Sequence, residues 1–497
     1  MNSNSIQEID QEDLTPATPA LSAARKTDGR KHILLLLLLS SLVLLISAYI
    51  CDQIDIPTGD EPHYLVISQT LLLYHSLDVT KDYANNDYKV FYEGPLGPFQ
   101  HTSLNKWGQL LPLHSIGAPV LWLIPFAIAG RLGTLLFMAL ASALIILNIY
   151  LLLVSLGIRR DYAFFTSLAM ALASPIWIYS HHDFVEPLAA LFCVYIVQVL
   201  FKERLRAWDL LGSSLALGVL PWLHIRFALF EVVLAGFLLA RVYQDNRFSK
   251  LKPYLLAILP VAAMFFFFEG YNFFVWGSLN PAVNQANSGE VPFDVSPWHG
   301  LFGLFFDQEY GLLTNFPIFL FLLGGIILAL KKKFLRFNIL MLLLSGPYII
   351  TIASFHNWDG AISPPARFLM VLVPLLAFYL ALALQKARSW IMNGLFLLCA
   401  VVAMLYEGAS LSVPGGWMNW EEGYSRPLVL IARAVHLPLT MLVPTVMPQQ
   451  SHVNQNHYNQ ILPIALWLLL LGGLALSVLV LSRRRVVFAG NPQSSNS

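Results

Sequence analysis

A pair of adjacent carboxylates stands shortly after the first long apolar run of the chain. The run covers residues 32–50, and the segment Gly59-Asp60-Glu61-Pro62-His63-Tyr64 follows it closely. A general base that deprotonates a hydroxyl must be ionised and aimed, and a neighbouring carboxylate can tune its pKa or hold a cation. Carboxylates just outside a membrane helix could work on a substrate whose lipid tail lies in the bilayer. The motif therefore makes Asp60 and Glu61 the candidate catalytic residues.

The same motif also fits the start of a helix. Asp60 is a suitable N-cap, and Pro62 falls in the first turn, where its missing N–H does no harm. Apolar residues at Leu65, Leu72 and neighbouring positions predict an interfacial helix over residues 61–77. The two interpretations are compatible, because a capping geometry also holds a carboxylate in a defined position.

A second polar segment, residues 179–187, lies between two apolar runs and contains His181, His182, Asp183 and Glu186. One interpretation is a simple polar turn. Because a carboxylate beside a membrane span is costly without a partner or a role, Glu186 is also a functional candidate. The four side chains could form a metal site as well, although their spacing matches no familiar zinc pattern.

Two isolated arginines stand at the ends of apolar runs. One is Arg226, and the other is Arg367, which follows a polar segment that contains Trp358. A lone arginine in such a position can hold a lipid phosphate bidentately. The alternative is that its charged head only reaches the headgroup region. Glu231 lies inside an apolar run, where an ionisable residue usually has a partner.

These observations define the candidate substrate-binding residues, which are His63, Tyr64, His182, Glu186, Arg226, Trp358 and Arg367. No metal ligand is assigned and no cofactor is predicted, and a divalent cation is possible but not required by the sequence. The chain has no Walker loop, no GxGxxG motif and no Ser/His/Asp signature. Its net charge of +1 gives no electrostatic reason to expect nucleic acid as a partner.

The composition is that of an all-α, polytopic membrane protein. Of its 497 residues 57% are hydrophobic and 12% are charged, whereas soluble domains carry about 25% charged residues. A membrane span needs about 20 mostly apolar residues. This criterion predicts about twelve (roughly 11–14) transmembrane helices. The predicted spans are 32–50, 132–156, 161–179, 187–203, 208–224, 226–242, 253–275, 312–330, 335–354, 368–384, 389–406 and 461–482.

The charge pattern predicts the orientation of these spans. Most Lys and Arg residues fall on the side of the amino terminus, for example in the short connections around Arg159 and Lys331. The positive-inside rule then places both termini in the cytoplasm. The long loops 51–131, 276–311 and 407–460 consequently lie on the exoplasmic face, together with the acidic motif.

Two further apolar stretches are excluded from the predicted spans because they carry prolines. We interpret Ser115–Gly130 and Leu428–Met447 as helices in the exoplasmic interface. The polar ends of the chain, residues 1–31 and 486–497, are predicted to be disordered cytoplasmic tails. Residues 32–485 between them form one predicted transmembrane domain.

The pattern resembles the C-type (GT-C) superfamily of integral membrane glycosyltransferases. Asp60-Glu61-Pro62-His63-Tyr64 is similar to the Asp-Glu-any-His-aromatic motif of protein O-mannosyltransferases. Lipid A aminoarabinose transferases have a similar Asp-Glu pair, and their acid-Pro step is matched by Glu186-Pro187. Segments 306–313 and 365–368 look like parts of related bacterial membrane proteins. The resemblance covers about residues 32–390, but it lacks a match to the lysine of the aminoarabinose enzymes that follows their second acidic segment.

The resemblance implies a hexosyl- or pentosyltransferase of the plasma (inner) membrane with a periplasmic active site. Its donor would be a polyprenyl-phosphate sugar, and an acceptor hydroxyl on a lipid, glycan or protein would attack the anomeric carbon with inversion. The implied roles are general base for Asp60 and help or orientation of the acceptor for Glu61. Glu186 would shape the sugar pocket, and Arg367 would hold the phosphate.

Two other classes of function remain open at this stage. A carrier or flippase for a lipid-linked or polar solute would need charges near the bilayer midplane, and Glu231 is the main candidate. Internal repeats would favour a transporter, but none is detectable in the sequence. A non-catalytic membrane scaffold would tolerate the joint replacement of Asp60, Glu61 and Glu186.

Overall fold

The computed structural model describes residues 19–99, 101–246, 249–280, 282–283, 295–410, 415, 417–446 and 461–489. These residues are mostly helical, and the helices of the first half of the chain end at Asn246. They are α1 (Pro19–Ile54), α2 (Glu61–Tyr74), α3 (Thr80–Asn85), α4 (Gly117–Leu121), α5 (Leu123–Ser155), α6 (Arg160–Leu172), α7 (Pro175–Tyr179), α8 (Glu186–Leu200), α9 (Ala207–Leu223) and α10 (Ala228–Asn246).

The second half continues with nine helices among the described residues. They are α11 (Lys252–Trp276), α12 (Pro297–Phe306), α13 (Leu312–Asn315), α14 (Leu322–Ala329), α15 (Leu335–Ala353), α16 (Val373–Ala387), α17 (Trp390–Ser410), α18 (Arg426–Val435) and α19 (Ile461–Ala489). Short 3₁₀ turns cover Asp87–Val90, Ile225–Phe227, Pro317–Phe321, Lys332–Phe334 and Leu439–Met441. Strands β1 (Thr102–Leu104) and β2 (Leu110–Pro112) form an antiparallel hairpin, with Ser103 opposite Leu111.

Six helical segments of the described chain are long and apolar enough to cross a membrane. They are Gly29–Ile54, Leu123–Ser155, Lys252–Trp276, Lys332–Ala353, Trp390–Ser410 and Leu462–Arg483. Four shorter apolar helices, Glu186–Leu200, Ala207–Leu223, Pro317–Ala329 and Val373–Ala387, coincide with further predicted spans. The protein is therefore a multi-pass membrane protein, and the number of about twelve spans stays a prediction.

The remaining two predicted spans do not coincide with a helix that is both long and apolar enough to cross a membrane. Each has a local reason. The predicted span 161–179 is divided between α6 and α7, because Ser174 and Pro175 start a new helix there, with Ser174 Oγ accepting from the Ile176 N–H. The predicted span 226–242 falls in α10, which carries Glu231, Arg241 and Asp245.

Helix α5 forms the centre of the bundle. It packs against α1 and α8, and its apolar length is mostly buried. Helix α11 lies at the periphery, where it contacts α9 and leaves most of its apolar surface uncovered. Exposed side chains such as Phe266 and Phe274 show this apolar face. A helix that is apolar all round and uncovered by protein suits contact with lipid.

The segment after α1 differs from the interfacial helix predicted for residues 61–77. Helix α2 ends at Tyr74, with His75 in the left-handed conformation, and its first ten residues are buried within the protein. The predicted interfacial stretch Ser115–Gly130 becomes α4 and the first turns of α5, which is kinked at Ala129 and Gly130. Of the stretch Leu428–Met447, part lies in the amphipathic helix α18. The interfacial position of Ser115–Gly130 and of Leu428–Met447 remains a prediction.

The predicted tails are shorter than expected. Helix α1 begins at Pro19 rather than near residue 32, because the segment before the apolar run is rich in alanine, a strong helix former. Helix α19 likewise continues to Ala489. Residues 1–18 and 490–497, which the tail predictions also include, lie outside the described residues.

Candidate active site

Four charged side chains from distant parts of the chain meet at one end of the bundle. Arg367 donates from Nη2 to Asp60 Oδ2 and from Nε to Glu186 Oε1, at 2.9 Å for the second bond. Arg226 donates from Nη2 to the same Glu186 oxygen. Three of these residues lie in the predicted substrate-binding set, and Asp60 is the predicted base. The structure therefore joins them into one cluster in which two carboxylates alternate with two guanidinium groups, and we call it the ion cluster.

Each member of the ion cluster comes from the end of a helix or from a loop. Asp60 precedes α2, Glu186 begins α8, and Arg226 lies in the 3₁₀ turn after α9. Arg367 belongs to the loop before α16. Groups at helix ends are held by the rigid helices while their side chains remain free to point into a common space.

Two glycines allow the loop before α16 to approach Asp60. Gly59 has a φ of 64°, and a side chain there would meet the carbonyl oxygen of Ile362 at 2.3 Å. Gly360 has a φ of 93°, and its carbonyl accepts a hydrogen bond of 3.0 Å from Arg367 Nη1. Both positions need left-handed backbone and close contact, which only glycine combines without strain.

Aromatic rings cover the guanidinium groups of the ion cluster. The centre of the Arg367 guanidinium lies 4.6 Å from the ring of Phe184, and that of Arg226 lies 4.8 Å from the ring of Phe368. Cation–π contacts of this kind stabilise a desolvated cation. Tyr179 supports the loop from beneath by donating to the carbonyl of Pro364 at 2.8 Å.

The surroundings keep Asp60 ionised. Burial alone would raise the pKa of Asp60, but the guanidinium of Arg367 beside it holds that pKa well below its usual range. Burial likewise opposes the charge of Arg367, but Asp60 and Glu186 raise the pKa of the guanidinium. The side chain of Asp60 is 23% exposed. Asp60 is thus both charged and accessible, as a general base must be.

Glu61 has a different environment from its neighbour. Its side chain is 0% exposed, and Oε1 accepts from His182 Nδ1 at 3.1 Å and from the Asp183 N–H at 2.8 Å. Its Oε2 accepts from the Thr58 N–H at 2.9 Å. Both side chains are buried within the protein. The catalytic role of Glu61 and the substrate-binding role of His182 stay predictions.

Three histidines stand beside Asp60, and the sequence pattern indicated only one of them. His63 is buried, stacks on His101 with ring centroids 3.6 Å apart and bonds to the Tyr83 hydroxyl. His101 Nδ1 lies 3.0 Å from His114 Nε2, and the ring of Tyr64 packs on His114. Burial lowers the pKa of His114 to about 4, so this ring is neutral at pH 7. His101 and His114 were missed because neither forms a local motif in the sequence.

Trp358 does not face the ion cluster as a sugar platform would. The residue is 3% exposed, and its ring packs over Gly303 and edge-on against His299 and Tyr310. No ring face is open for stacking. The ring therefore has a packing role beside the loop that carries Gly360, and the substrate-binding role of Trp358 stays a prediction.

Two clusters of potential metal ligands occur among the described residues. One ligand atom each from Asp60, His101 and His114 lie within 4.8 Å of one another, and the same holds for Cys51, Asp55 and His182. The set considered from the sequence, which combined His181, His182, Asp183 and Glu186, forms no such group in the described part of the chain. Tertiary folding has instead combined His182 with residues at the end of α1.

A loop of the carboxyl-terminal half closes over this region. Trp417 packs edge-on against His181, at 4.7 Å between ring centroids, and the Asn419 N–H donates to the Ser363 carbonyl at 3.0 Å. Glu309 holds the same loop by accepting from the Gly423 N–H at 2.7 Å. Burial and the nearby Asp307 raise the pKa of Glu309 to about 8.

Comparison with known proteins identifies the fold. The sequence matches no protein-family model and no curated protein. The structure is similar to that of ArnT from Cupriavidus metallidurans bound to undecaprenyl phosphate, with a TM-score of 0.52 and 14% identity over 90% of this chain and 74% of that chain. The apo state of the same enzyme gives a TM-score of 0.50 at 15% identity, over 90% of this chain and 74% of that chain. The archaeal oligosaccharyltransferase AglB from Archaeoglobus fulgidus gives 0.43 at 13% identity, over 84% of this chain and 60% of that chain.

The chain has the fold of the C-type membrane glycosyltransferases, as the resemblance in the sequence predicted. At this level of identity the likeness concerns the fold, and the function must be argued from the site.

Proposed function

We propose that this protein transfers a sugar from a polyprenyl-phosphate donor to an acceptor hydroxyl at the ion cluster. The observation that carries the proposal is an accessible, ionised Asp60 paired with Arg367, next to Arg226, which pairs with Glu186 in the same ion cluster. A carboxylate for the acceptor proton and guanidinium groups for a phosphate are the two parts that such a reaction needs. The ArnT structure with undecaprenyl phosphate supports the class of donor.

The reaction is a single displacement. The acceptor oxygen forms a bond to the anomeric carbon while the bond from that carbon to the phosphate oxygen breaks, so the configuration inverts. The acceptor proton passes to Asp60, and the bonding electrons leave with the polyprenyl phosphate. Because a phosphate is a good leaving group, one positioned base is enough, and a weak one serves.

Asp60 is the base in this proposal, and Glu61 is a positioning residue. Asp60 uses Oδ2 for Arg367, and its Oδ1 makes no hydrogen bond among the described residues, whereas both oxygens of Glu61 accept backbone or histidine N–H groups. Glu61 therefore fixes the start of α2 and with it the direction of Asp60.

Arg226 and Arg367 would bind the donor phosphate. Arg226 is the more open of the two, with a side chain that is 16% exposed and an Nε without a hydrogen-bond partner in the described part of the chain. Glu186 bridges the two guanidinium groups through one oxygen. In this arrangement Glu186 keeps both cations in place, so that two guanidinium groups can bind the phosphate in adjacent positions.

The membrane orientation and the acceptor class in this proposal are based on the sequence. The site lies on the exoplasmic face of the plasma membrane, both termini are cytoplasmic, and the acceptor is a lipid, glycan or protein. The acidic motif after the first span and the basic connections on the opposite side support this orientation.

Sugar transfer from a panel of radiolabelled polyprenyl-phosphate sugars tests the function. Membranes that contain wild type, Asp60→Asn or Glu93→Gln are compared, since Glu93 is an exposed acid of the same loop. We expect label in a lipid, glycan or protein fraction with wild type and Glu93→Gln but not with Asp60→Asn. Full transfer by a folded Asp60→Asn would contradict the role of Asp60. Solute movement without transfer from any donor would instead favour a carrier.

A further inference from the structure

We propose that Cys51, Asp55 and His182 bind a divalent transition-metal ion of the Zn²⁺ type, at a site separate from the ion cluster. One ligand atom of each residue lies within 4.8 Å of those of the other two, and Cys51 Sγ is 3.8 Å from Asp55 Oδ2. Zn–S bonds of about 2.3 Å and Zn–N bonds of about 2.0 Å place the ligand atoms of a tetrahedral site about 3.5 Å apart. A small closure of the three side chains therefore brings them to bonding distance and supplies three of the four tetrahedral positions.

The histidine of this site has one ring nitrogen bonded to a carboxylate and the other without a partner among the described residues. His182 Nδ1 is bonded to Glu61 Oε1 at 3.1 Å, and its Nε2 is buried without a partner among the described residues. Ligand histidines almost always donate their second ring N–H to a carboxylate or carbonyl, which selects the tautomer and raises the basicity of the binding nitrogen. Glu61 thus supplies the supporting contact, and Nε2 is the nitrogen left for the ion.

The side chains around the site carry an excess of negative charge, which a bound dication would offset. Three carboxylates, of Asp55, Glu61 and Asp183, face one guanidinium, of Arg131. Both oxygens of Asp183 are buried without a hydrogen-bond partner in the described chain, and the nearby Thr134 hydroxyl donates to the Arg131 carbonyl instead. Uncompensated buried charge is costly. A bound dication, counted together with the Cys51 thiolate that it requires, lowers the excess from two negative charges to one.

Arg131 does not fill the ligand positions itself. It donates to the Asp55 carbonyl, and its Nη2 lies 3.9 Å from Cys51 Sγ, at the outer limit of a weak sulfur contact. The thiol of Cys51 donates to the His181 carbonyl at 3.3 Å. Binding exchanges the S–H bond for a metal–sulfur bond, and the proton leaves to solvent. No electron transfer is involved.

The ligand set selects the metal. The thiolate is a soft donor and the imidazole a borderline one, and Zn²⁺ accepts both whereas Mg²⁺ and Ca²⁺ avoid them. The carboxylate is a hard donor that Zn²⁺ also accepts. The bound ion would connect the end of α1, which carries Cys51 and Asp55, to the loop before α8. That link would also hold Glu61, because His182 bonds to both.

The other ligand cluster, Asp60 with His101 and His114, is the weaker candidate. The carboxylate of Asp60 already pairs with Arg367, and the ion cluster contains two acids and two arginines, so no negative charge is left over. That cluster also lacks sulfur, which gives the two sites different spectra.

Cobalt titration of the full chain in detergent tests the proposal. Co²⁺ bound by a thiolate shows a sulfur-to-metal charge-transfer band that Co²⁺ on nitrogen and oxygen ligands lacks. We expect the band to saturate at about one ion per chain in the wild type, to be displaced by Zn²⁺ and to be lost in Cys51→Ser. Cys193→Ser is the matched control, because Cys193 is an equally buried free cysteine in the core of α8.

Three results would overturn the site. They are the absence of the band at saturating Co²⁺ in wild type, a band that survives in Cys51→Ser, and metal binding that His101→Ala rather than Cys51→Ser removes. If Cys51→Ser fails to fold, Asp55→Asn replaces it, with weaker Co²⁺ binding as the expected result. A rise in the melting temperature of wild type with Zn²⁺, reversed by a chelator, gives a second readout that does not depend on sugar transfer.

Discussion

Asp60 and Glu61 are adjacent in the chain, yet they end in two different regions of the molecule. Asp60 faces the ion cluster, where its charge is matched by Arg367 and its side chain is partly open. Glu61 points the other way, into a sealed network with His182 and the backbone of residues 58 and 183. Successive helical residues are about 100° apart around the axis, so the first turn of α2 necessarily separates the two carboxylates.

This difference shows that two adjacent acids of one motif can have different surroundings and serve different purposes. A charge that is balanced and accessible can take part in chemistry, because a substrate can reach it and its pKa keeps it ionised. A charge that is buried and bonded on both oxygens stabilises the backbone around it. The hydrogen bonds of Glu61 hold the start of α2 in place, and this places the side chain of Asp60 in the ion cluster.

The largest expected effect separates the two acids by activity. Asp60→Asn removes the acceptor for the proton while Arg367 keeps its bonds to Glu186 and Gly360. We expect sugar transfer to fall by about 10²–10⁴-fold, with little change in the melting temperature. The measurement is the initial rate of sugar transfer by wild type and by the variant, with a melting curve of each protein to show that it is folded. A residual rate above about a tenth of wild type would place the base elsewhere.

The arginines of the ion cluster should differ in their effect on stability. Arg367→Ala leaves Asp60 without its partner and the buried Glu186 with Arg226 alone, which costs about 3–5 kcal/mol. In Arg226→Ala, Glu186 keeps Arg367, so the loss should be clearly smaller. Unfolding in detergent measures both, with the exposed Arg433→Ala as control. Equal losses for the two variants would mean that Glu186 depends on Arg226 as much as on Arg367.

Replacement of Glu61 should affect folding more than chemistry. Glu61→Gln has one oxygen where the network needs two acceptors, which leaves a buried N–H of Thr58 or Asp183 unpaired and costs about 1–3 kcal/mol. The folded fraction should keep most of its transfer activity. We would compare melting temperature and specific activity with those of Glu93→Gln. A normal melting temperature with lost transfer would make Glu61 catalytic after all.

The smallest expected effect concerns the loop held by Glu309. Burial raises the pKa of Glu309 to about 8 in the folded state, above about 4.3 for an unperturbed Glu. The stability that this group contributes is therefore complete below pH 4.3 and is lost as the pH rises through about 8. We expect amide exchange in residues 417–423, corrected for intrinsic rates, to quicken between pH 7 and 9.

The amide variant provides the control for this pH effect. Glu309→Gln cannot ionise, so exchange in the same residues should lose its pH dependence. An unchanged pH profile in Glu309→Gln would assign the titration to another group.

Several features of the fold could be predicted from the sequence because they depend on local composition. A membrane helix needs a long apolar run, so each predicted span coincides with helix in the described residues. Helix α2 starts at the predicted position because Pro62 and the preceding acid mark a first turn. The helix was predicted to lie in the interface, whereas its first ten residues are buried within the protein, because later segments of the chain cover them.

The members of the ion cluster could be proposed one by one but not as a cluster. Glu186, Arg226 and Arg367 attracted attention because each is a lone charge at the edge of an apolar run, where it needs a partner. Which charge pairs with which depends on contacts across 181 and 307 positions of the chain. Local pattern contains no information about such distant pairs. The histidines His101 and His114 illustrate the same limit.

The sequence by itself determined that this is a helical membrane protein with an acidic motif after its first span, because apolar run length and charge placement act locally. Only the tertiary structure decided that Asp60 meets Arg367 while Glu61 meets His182, and that Trp358 packs inside. Those outcomes depend on how helix ends converge and on which face of a turn each side chain occupies. The pairing partners then leave the Asp60 carboxylate partly open and bury that of Glu61.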